Sequence, residues 1–256
     1  MPRPVALITG PTSGIGAGYA RRYAADGYDL VLVARDADRL TQLQGELKDG
    51  GDIEVLAADI ADPADRARVV DRLSAGVQVL VNNAGLGING EFWETDAALL
   101  QRQLDVNVTA VMHLTRAALP AMLDAGAGTV INIASVAGLT PGRGSTYSAS
   151  KAWVIAFSEG LAVGLQGTGV GVHAVCPGYV HTNFHARAGI DTTKLPSFLW
   201  LEVDDVVAAS LADIAAGKVL SIPGLQYKAI VTAGRFMPRG LMRAVTKRVG
   251  GGRGRT

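Results

Sequence analysis

Cysteine is almost missing from this chain: Cys176 is the only one in 256 residues. A single thiol excludes an internal disulfide, argues against a cysteine-built metal site and suits a reducing cytoplasm. Histidine is sparse as well. His181 and His185 lack metal-ligand company, while His113 and His173 read as a helix-packing and a sheet residue, so no metal is expected. Long apolar runs are absent, which excludes a membrane-spanning helix. The opening Met-Pro-Arg-Pro leads into a short apolar run without the pattern of a signal peptide. Acidic residues are missing from Ile214 to Thr256, whereas Lys218, Lys228, Arg235, Arg239, Arg243, Lys247, Arg248, Arg253 and Arg255 are all basic. What is plentiful is apolar residues, 48% of the chain, and glycine, 32 in number. That balance belongs to a compact globular enzyme with a sizeable core.

Read in order, short apolar runs alternate with helical patterns. Strands are expected at Pro4 to Thr9, Asp29 to Ala34, Ile53 to Ala57, Val77 to Val81, Thr129 to Ala134 and Val170 to Val175. Helices are expected from the glycine turn to Asp26, over Asp36 to Lys48, after Asp62 to Ser74, over Asp96 to Asp124 and over Thr146 to Gln166. Strands joined through helices imply right-handed crossovers and a parallel sheet covered on both faces. The fold class is therefore α/β: a Rossmann-like, doubly wound parallel sheet of about seven strands in a single domain. The seventh strand is expected at Gln226 to Thr232. Residues 1–235 form the domain, and 236–256 a basic helix and Gly/Arg tail.

Ligands of such sheets bind where the strands end, and the unusual clusters lie there. After the first strand comes Thr9-Gly10-Pro11-Thr12-Ser13-Gly14-Ile15-Gly16. Gly10 permits a tight turn, Gly14 a close backbone approach and Gly16 close packing of helix on sheet, so that N–H groups can hold a pyrophosphate. After the second strand, Ala34 stands where an acidic residue would bind a ribose 2′-hydroxyl, and Arg35 follows. A guanidinium suits a 2′-phosphate, which favours NADP(H) over NAD(H).

After the fifth strand, Ser135 leads through a Gly/Pro-rich turn to a helix carrying Tyr147 and Lys151. Four apart, those two share a face. A positive charge at ~4 Å and an effective dielectric of ~20 contributes about 4 kcal/mol. That is enough to pull a phenol pKa down from about 10 by up to roughly three pH units, and burial would push it back up.

These pieces together resemble the short-chain dehydrogenase/reductase family. The resemblance rests on Thr9–Gly16, Asn82-Asn83-Ala84-Gly85, Ser135 with Tyr147-Ser-Ala-Ser-Lys151, and Pro177-Gly178, and runs from about Val5 to Thr182. It implies a catalytic tetrad of Asn107, Ser135, Tyr147 and Lys151. In family members this Asn distorts its helix and holds a water linked to the lysine. The resemblance also places Asp59 and Ile60 by the adenine, Asn83, Ala84 and Gly85 along the ribose, and Val180 and Thr182, after Pro177 and Gly178, at the nicotinamide end. Thr12, Ser13 and Ile15 join the three glycines at the phosphates, and Tyr147 and Lys151 meet the cofactor as well. The implied reaction is hydride transfer between NADP(H) and a carbonyl or secondary alcohol, with Tyr147 as general acid, Lys151 supporting the tyrosinate and the ribose, and Ser135 donating to the carbonyl oxygen.

The ending differs from the Val-Asp-Gly-Gly-like segment that many members use in tetramer packing, so a tetramer is not carried over. The helix with Trp153, Phe157, Gly160 and Gly164, beside the long Asp96–Asp124 helix, is a candidate homodimer face. Asn183 to Leu201 lies where members carry a substrate lid. Its Phe184, Leu195, Phe198, Leu199 and Trp200 suggest a hydrophobic substrate, lipid-like, steroid-like or fatty-acyl. Arg239, Arg243 and Lys247 share a helical face, which offers contact with a membrane surface or an anionic carrier. Nucleic-acid binding is not expected from one short basic stretch. Two other readings stay open: a non-catalytic dinucleotide sensor on the same fold, and a nucleotide-sugar epimerase or dehydratase, which also uses Tyr and Lys four apart.

Overall fold

The computed structural model describes residues 2–47, 51–139, 145–189 and 195–236. Strands β1 (Val5–Thr9), β2 (Asp29–Ala34) and β3 (Ile53–Ala57) alternate with helices α1 (Gly14–Ala25), α2 (Ala37–Glu46) and α3 (Pro63–Ser74). Strand β4 (Val79–Asn82) precedes one long helical rod made of α4 (Ala97–Leu104), a π-helical turn (Asp105–Ala110) and α5 (Val111–Ala125). Then come β5 (Gly128–Ile133), α6 (Ser145–Gly164) and β6 (Val170–Val175). The remainder is β7 (Tyr179–Val180), α7 (Phe184–Arg187), β8 (Trp200–Leu201), α8 (Val203–Ala215), β9 (Leu220–Ser221) and α9 (Leu225–Phe236).

The local chemistry of the helix starts is legible. Asp36 accepts from the Arg39 N–H at the head of α2. Asp62 accepts from the Ala64 and Asp65 N–H groups at the head of α3, where Pro63 costs nothing because its position needs no N–H.

The main sheet runs β3-β2-β1-β4-β5-β6-β9, and its pairs are parallel. Alternate residues feed two core layers, as a pleat of period two requires. Leu7, Val31, Leu80 and Val130 face α3 and α5, meeting Val69, Leu73, Leu114 and Ala118. Their neighbours Ile8, Leu32, Val81 and Ile131 face the other way, onto Tyr19, Tyr23, Leu40 and Val207. The strand order turns back between β1 and β4, which opens a crevice at their carboxyl ends. A separate two-stranded ribbon pairs β7 with β8.

One expected strand is corrected. Gln226 to Thr232 lies inside helix α9, and the seventh strand of the sheet is Leu220–Ser221, paired with Ala174 and Val175. The β-branched Ile230, Val231 and Thr232 mimic a strand, but Pro223-Gly224 separates them from the sheet edge, which two residues already fill. The expected basic helix through Arg239, Arg243 and Lys247 lies outside the described residues, as does the turn 140–144. Among the described residues no helix is long and apolar enough to cross a membrane, and no cluster of metal-ligating side chains occurs.

Candidate active site

The glycine turn leaves β1 with Gly10 and Gly14 at positive φ, 65° and 57°. A side chain at Gly16 would collide with the Gly10 carbonyl and the Asn83 amide, so the turn closes only around glycine. Ser13 precedes α1 without a capping bond from its side chain, and the first turn of α1 carries no carboxylate. The opening N–H groups therefore remain available to an anion. Thr12 and Ser13 are half-buried at the rim, and Ile15 packs beside Val180 and Leu201.

Asn83 buckles β4 to this turn. Its Nδ2 donates to the Thr9 carbonyl (2.9 Å) and the Gly10 carbonyl (3.0 Å). Thr9 Oγ1 accepts from the Asn83 and Ala84 N–H groups, at 3.0 Å each. The Asn83 side chain thus serves the protein's own backbone. Arg35 is exposed at the end of β2, with no ion pair among the described residues, whereas the nearby Arg39 pairs with Asp36. Asp59 is engaged from two sides: its carboxylate pairs with Arg102 (2.5 Å) and accepts the Ala61 N–H (3.1 Å). Ile60 is buried.

Across the crevice, Asn107 sits fully buried in the π-helical turn. Its Oδ1 accepts the Leu86 N–H (2.8 Å), and its Nδ2 donates to the Leu86 carbonyl (2.9 Å) and toward Ser150 Oγ (3.2 Å). A side chain that pairs with backbone as a strand would accounts for a helix widened at this point. Lys151 Nζ donates to the Ile133 carbonyl at the end of β5 (2.7 Å) and lies 5.8 Å from the centre of the Tyr147 ring. A side chain on Gly85 would stand 3.6 Å from that ammonium and 3.7 Å from Asn107 Oδ1, so Gly85, Asn107 and Lys151 converge.

Ser135 Oγ accepts the Ala137 N–H (3.1 Å), which fixes its rotamer, and hydrogen-bonds the Tyr147 phenol. Pro177 binds back through its carbonyl to the Val136 N–H (3.1 Å), and Gly178 lies under the ring of Tyr227. Val180 is buried, and Thr182 reaches the glycine turn, its Cγ2 standing 2.8 Å from where a Cβ on Gly14 would be. The Phe184 ring lies 5.8 Å from that of Tyr147, at an angle of 42°.

Burial dominates the electrostatics. It pushes the Tyr147 phenol up to about 12, against the pull of the Ser135 hydrogen bond. It draws the Lys151 ammonium down to about 8. Of the two opposing effects that the sequence offers, a neighbouring charge and burial, burial is the larger on this phenol. Tyr147 is held protonated, and Lys151 at neutral pH still carries its charge. Cys176, buried behind them, has its thiol pushed up to about 12 by desolvation and stays neutral.

A glycine cradle that any Cβ would fill, uncapped N–H groups and an unpaired cation lie along one carboxyl edge. They fit a dinucleotide. The short chain dehydrogenase family model matches residues 4–192 of this sequence. The chain belongs to that family.

Members of known identity agree. Sulfoacetaldehyde reductase 2 of Chromohalobacter salexigens is 40% identical over 186 residues, covering 70% of this chain and 74% of that protein. A short-chain dehydrogenase from Sphingobium yanoikuyae, solved in complex with NADPH, superposes with a TM-score of 0.83 at 40% identity, over 94% of this chain and 95% of that one. A family member from Burkholderia phymatum, solved in complex with NAD, gives 0.79 at 29% identity, over 90% and 92%. This short-chain dehydrogenase is thus an NAD(P)-dependent oxidoreductase of CH–OH and carbonyl groups. Motif reading gave no role of their own to three residues that build its site: Thr9, which clips β4 to the glycine turn; Ser150, which meets Asn107; and Tyr227, far down the chain. Only tertiary contact reveals them.

Proposed function

We propose that this enzyme uses NADP(H) to interconvert a hydrophobic ketone and its secondary alcohol. The observation that carries the reading is the placing of Tyr147 beside Ser135, with the Lys151 ammonium 5.8 Å from its ring and anchored on the Ile133 carbonyl. When bound, the reduced cofactor supplies the hydride received by the carbonyl carbon. Tyr147 Oη then gives its proton to the carbonyl oxygen as that oxygen gains charge, acting as general acid. Lys151 lowers the cost of the tyrosinate left behind, because a positive charge close by favours the ionised phenol. Ser135 accepts from Ala137 through its lone pair, so its own O–H remains a donor. One such donor to a developing oxyanion is typically worth about 3 kcal/mol. Asn107 ties the widened helix to Leu86, next to the Gly85 backbone that shares the lysine's surroundings.

Arg35 supports NADP(H) over NAD(H), as an exposed cation at the end of β2 where a 2′-phosphate would lie. In the same reading the glycine turn, the Asn83–Gly85 backbone and the Pro177–Thr182 segment hold the rest of the cofactor, and Asp59 and Ile60 flank the adenine. Phe184 supports an apolar substrate. Its ring faces Tyr147, with Leu199 and Trp200 in the same segment. A groove of about 660 Å³ lined by Met112, Leu119, Pro120, Phe157 and Leu161 supports a homodimer built on α5 and α6, measurable by light scattering.

NADPH oxidation over a panel of ketones, aldehydes (sulfoacetaldehyde included) and acyl thioesters of graded size tests the reading. The expected outcome is a kcat/KM that rises with apolar bulk and falls with NADH. A preference for a small anionic aldehyde would overturn the substrate class. NADPH binding without turnover of any carbonyl would favour a dinucleotide sensor.

A further inference from the structure

Tyr227 is the least expected neighbour of the site. It enters from α9, far from the motifs, and is only 4% exposed. Its ring lies flat on Gly178, where even a methyl group would overlap the ring carbons. Its hydroxyl does two jobs. It accepts the Tyr179 N–H (2.9 Å) and donates to the Leu199 carbonyl (2.5 Å). Burial raises its pKa, so the donor persists throughout the physiological range.

Those two partners are the ends of one excursion of the chain. Tyr179 opens β7, and Leu199 immediately precedes β8. The β7–β8 ribbon pairs only Tyr179 with Trp200 and Val180 with Leu201. The His181 N–H adds a bond to the Leu201 carbonyl (3.0 Å). An isolated two-stranded ribbon is marginal in water even when longer, so this one needs a fastening from outside. Tyr227 supplies it, and its neighbour Gln226 adds a bond from Nε2 to the Phe198 carbonyl (3.1 Å).

What the fastening holds is functional. Just beyond the ribbon, Thr182 contacts the glycine turn and Phe184 contacts the catalytic Tyr147. Phe184 Cζ also stands 3.0 Å from where a Cβ on Gly87 would be, so the ring is seated against a position that only glycine leaves open to it.

We infer that Tyr227 is a positioning residue: its hydroxyl sets the register of the Tyr179–Val180 turn against Leu199 and thereby places Thr182 on the cofactor side and Phe184 on Tyr147. The inference rests on the oxidoreductase reading above, so one readout is independent of turnover. In full-length Tyr227→Phe the ring stays on Gly178 and only the bridge is lost. Hydrogen exchange of the peptide spanning 179–189, measured without substrate, is expected to quicken about tenfold, with β1 to β6 unchanged. For the best carbonyl of the panel, KM is expected to rise five- to tenfold and kcat to fall several-fold, while the melting temperature moves by only a few degrees. Gly178→Ala, which keeps the hydroxyl but lifts the ring, should reproduce both effects. Exchange within twofold of the parent in Tyr227→Phe overturns the inference. So does faster exchange with unchanged KM and kcat, which would make the bridge structural only. Should the parent reduce no carbonyl at all, the functional reading fails, and the exchange measurement still decides whether the bridge orders residues 179–189.

Discussion

Replacing Lys151 with Met should destroy the enzyme and strengthen the fold. The ammonium is 4% exposed, and burial draws its pKa from 10.5 to about 8. At about 1.4 kcal/mol per pH unit, that fall is a penalty of about 3 kcal/mol for holding the charge at neutral pH. Met keeps the length and loses the charge. It also strands the Ile133 carbonyl, which now accepts from Nζ, at a cost of about 1–2 kcal/mol. The net expectation is a variant more stable by about 1–2 kcal/mol at pH 7, read by urea denaturation without cofactor. The pH dependence separates this cause from better packing. Below pH 8 the lysine is charged in both folded and unfolded chains, and the parent bears the whole penalty. Between about 8 and 10.5 the unfolded chain binds more protons than the folded one, so the parent gains stability as pH rises. The variant's advantage should therefore shrink steadily from pH 8 to 10. An advantage that stays constant, or a variant less stable at pH 7, would refute the argument that desolvation governs this site.

Other consequences are simpler to test. Tyr147→Phe removes the proton donor, and turnover should fall by at least about a thousandfold while NADPH affinity by calorimetry moves less than about threefold; substantial residual activity would remove Tyr147 as the acid. Arg35→Ala should narrow the preference for NADPH over NADH by about tenfold, the worth of a partly solvated charge-assisted contact; an unchanged ratio would mean that Arg35 does not read the phosphate. Asn132→Leu breaks a buried chain in which Asn82 donates to Asn132 (2.9 Å) and Asn132 to Ser158 (2.9 Å). It should cost about 2–3 kcal/mol in urea denaturation, and a loss below about 1 kcal/mol would mean that the chain is not a cooperative unit.

Much of the scaffold is legible without coordinates because its signals are local. The strands Asp29–Ala34, Ile53–Ala57 and Val170–Val175 and the helix from Pro63 to Ser74 coincide with their expected limits, since apolar runs and an Asp-Pro helix start act within a few residues. The seventh strand was not legible: two residues carry no periodicity, and the β-branched run after it points the wrong way. Which effect wins at the Tyr147–Lys151 pair was not legible for a different reason. Charge proximity can be read from a spacing of four, whereas burial depends on everything that surrounds the pair. The contacts of Thr9 and Tyr227 are not legible for a third reason. Their partners, Asn83 and Tyr179, lie 74 and 48 positions away.

The widened turn at Asn107 also sets a phase. Along the rod, Gln103, Asn107, Ala110, Leu114, Ala118 and Met122 are all buried. In an unbroken α-helix, at about 100° per residue, Met122 would point about 100° away from Gln103. One extra residue in a π-helical turn absorbs about that angle. The same residue that binds Leu86 therefore keeps α4 against α6 and α5 against α3 on a single buried stripe. Forcing regular α geometry on 105–110 with every residue kept would rotate one half of the rod against the other by about 100°. The damage would then reach the core around Leu114 and Met122 as well as the site.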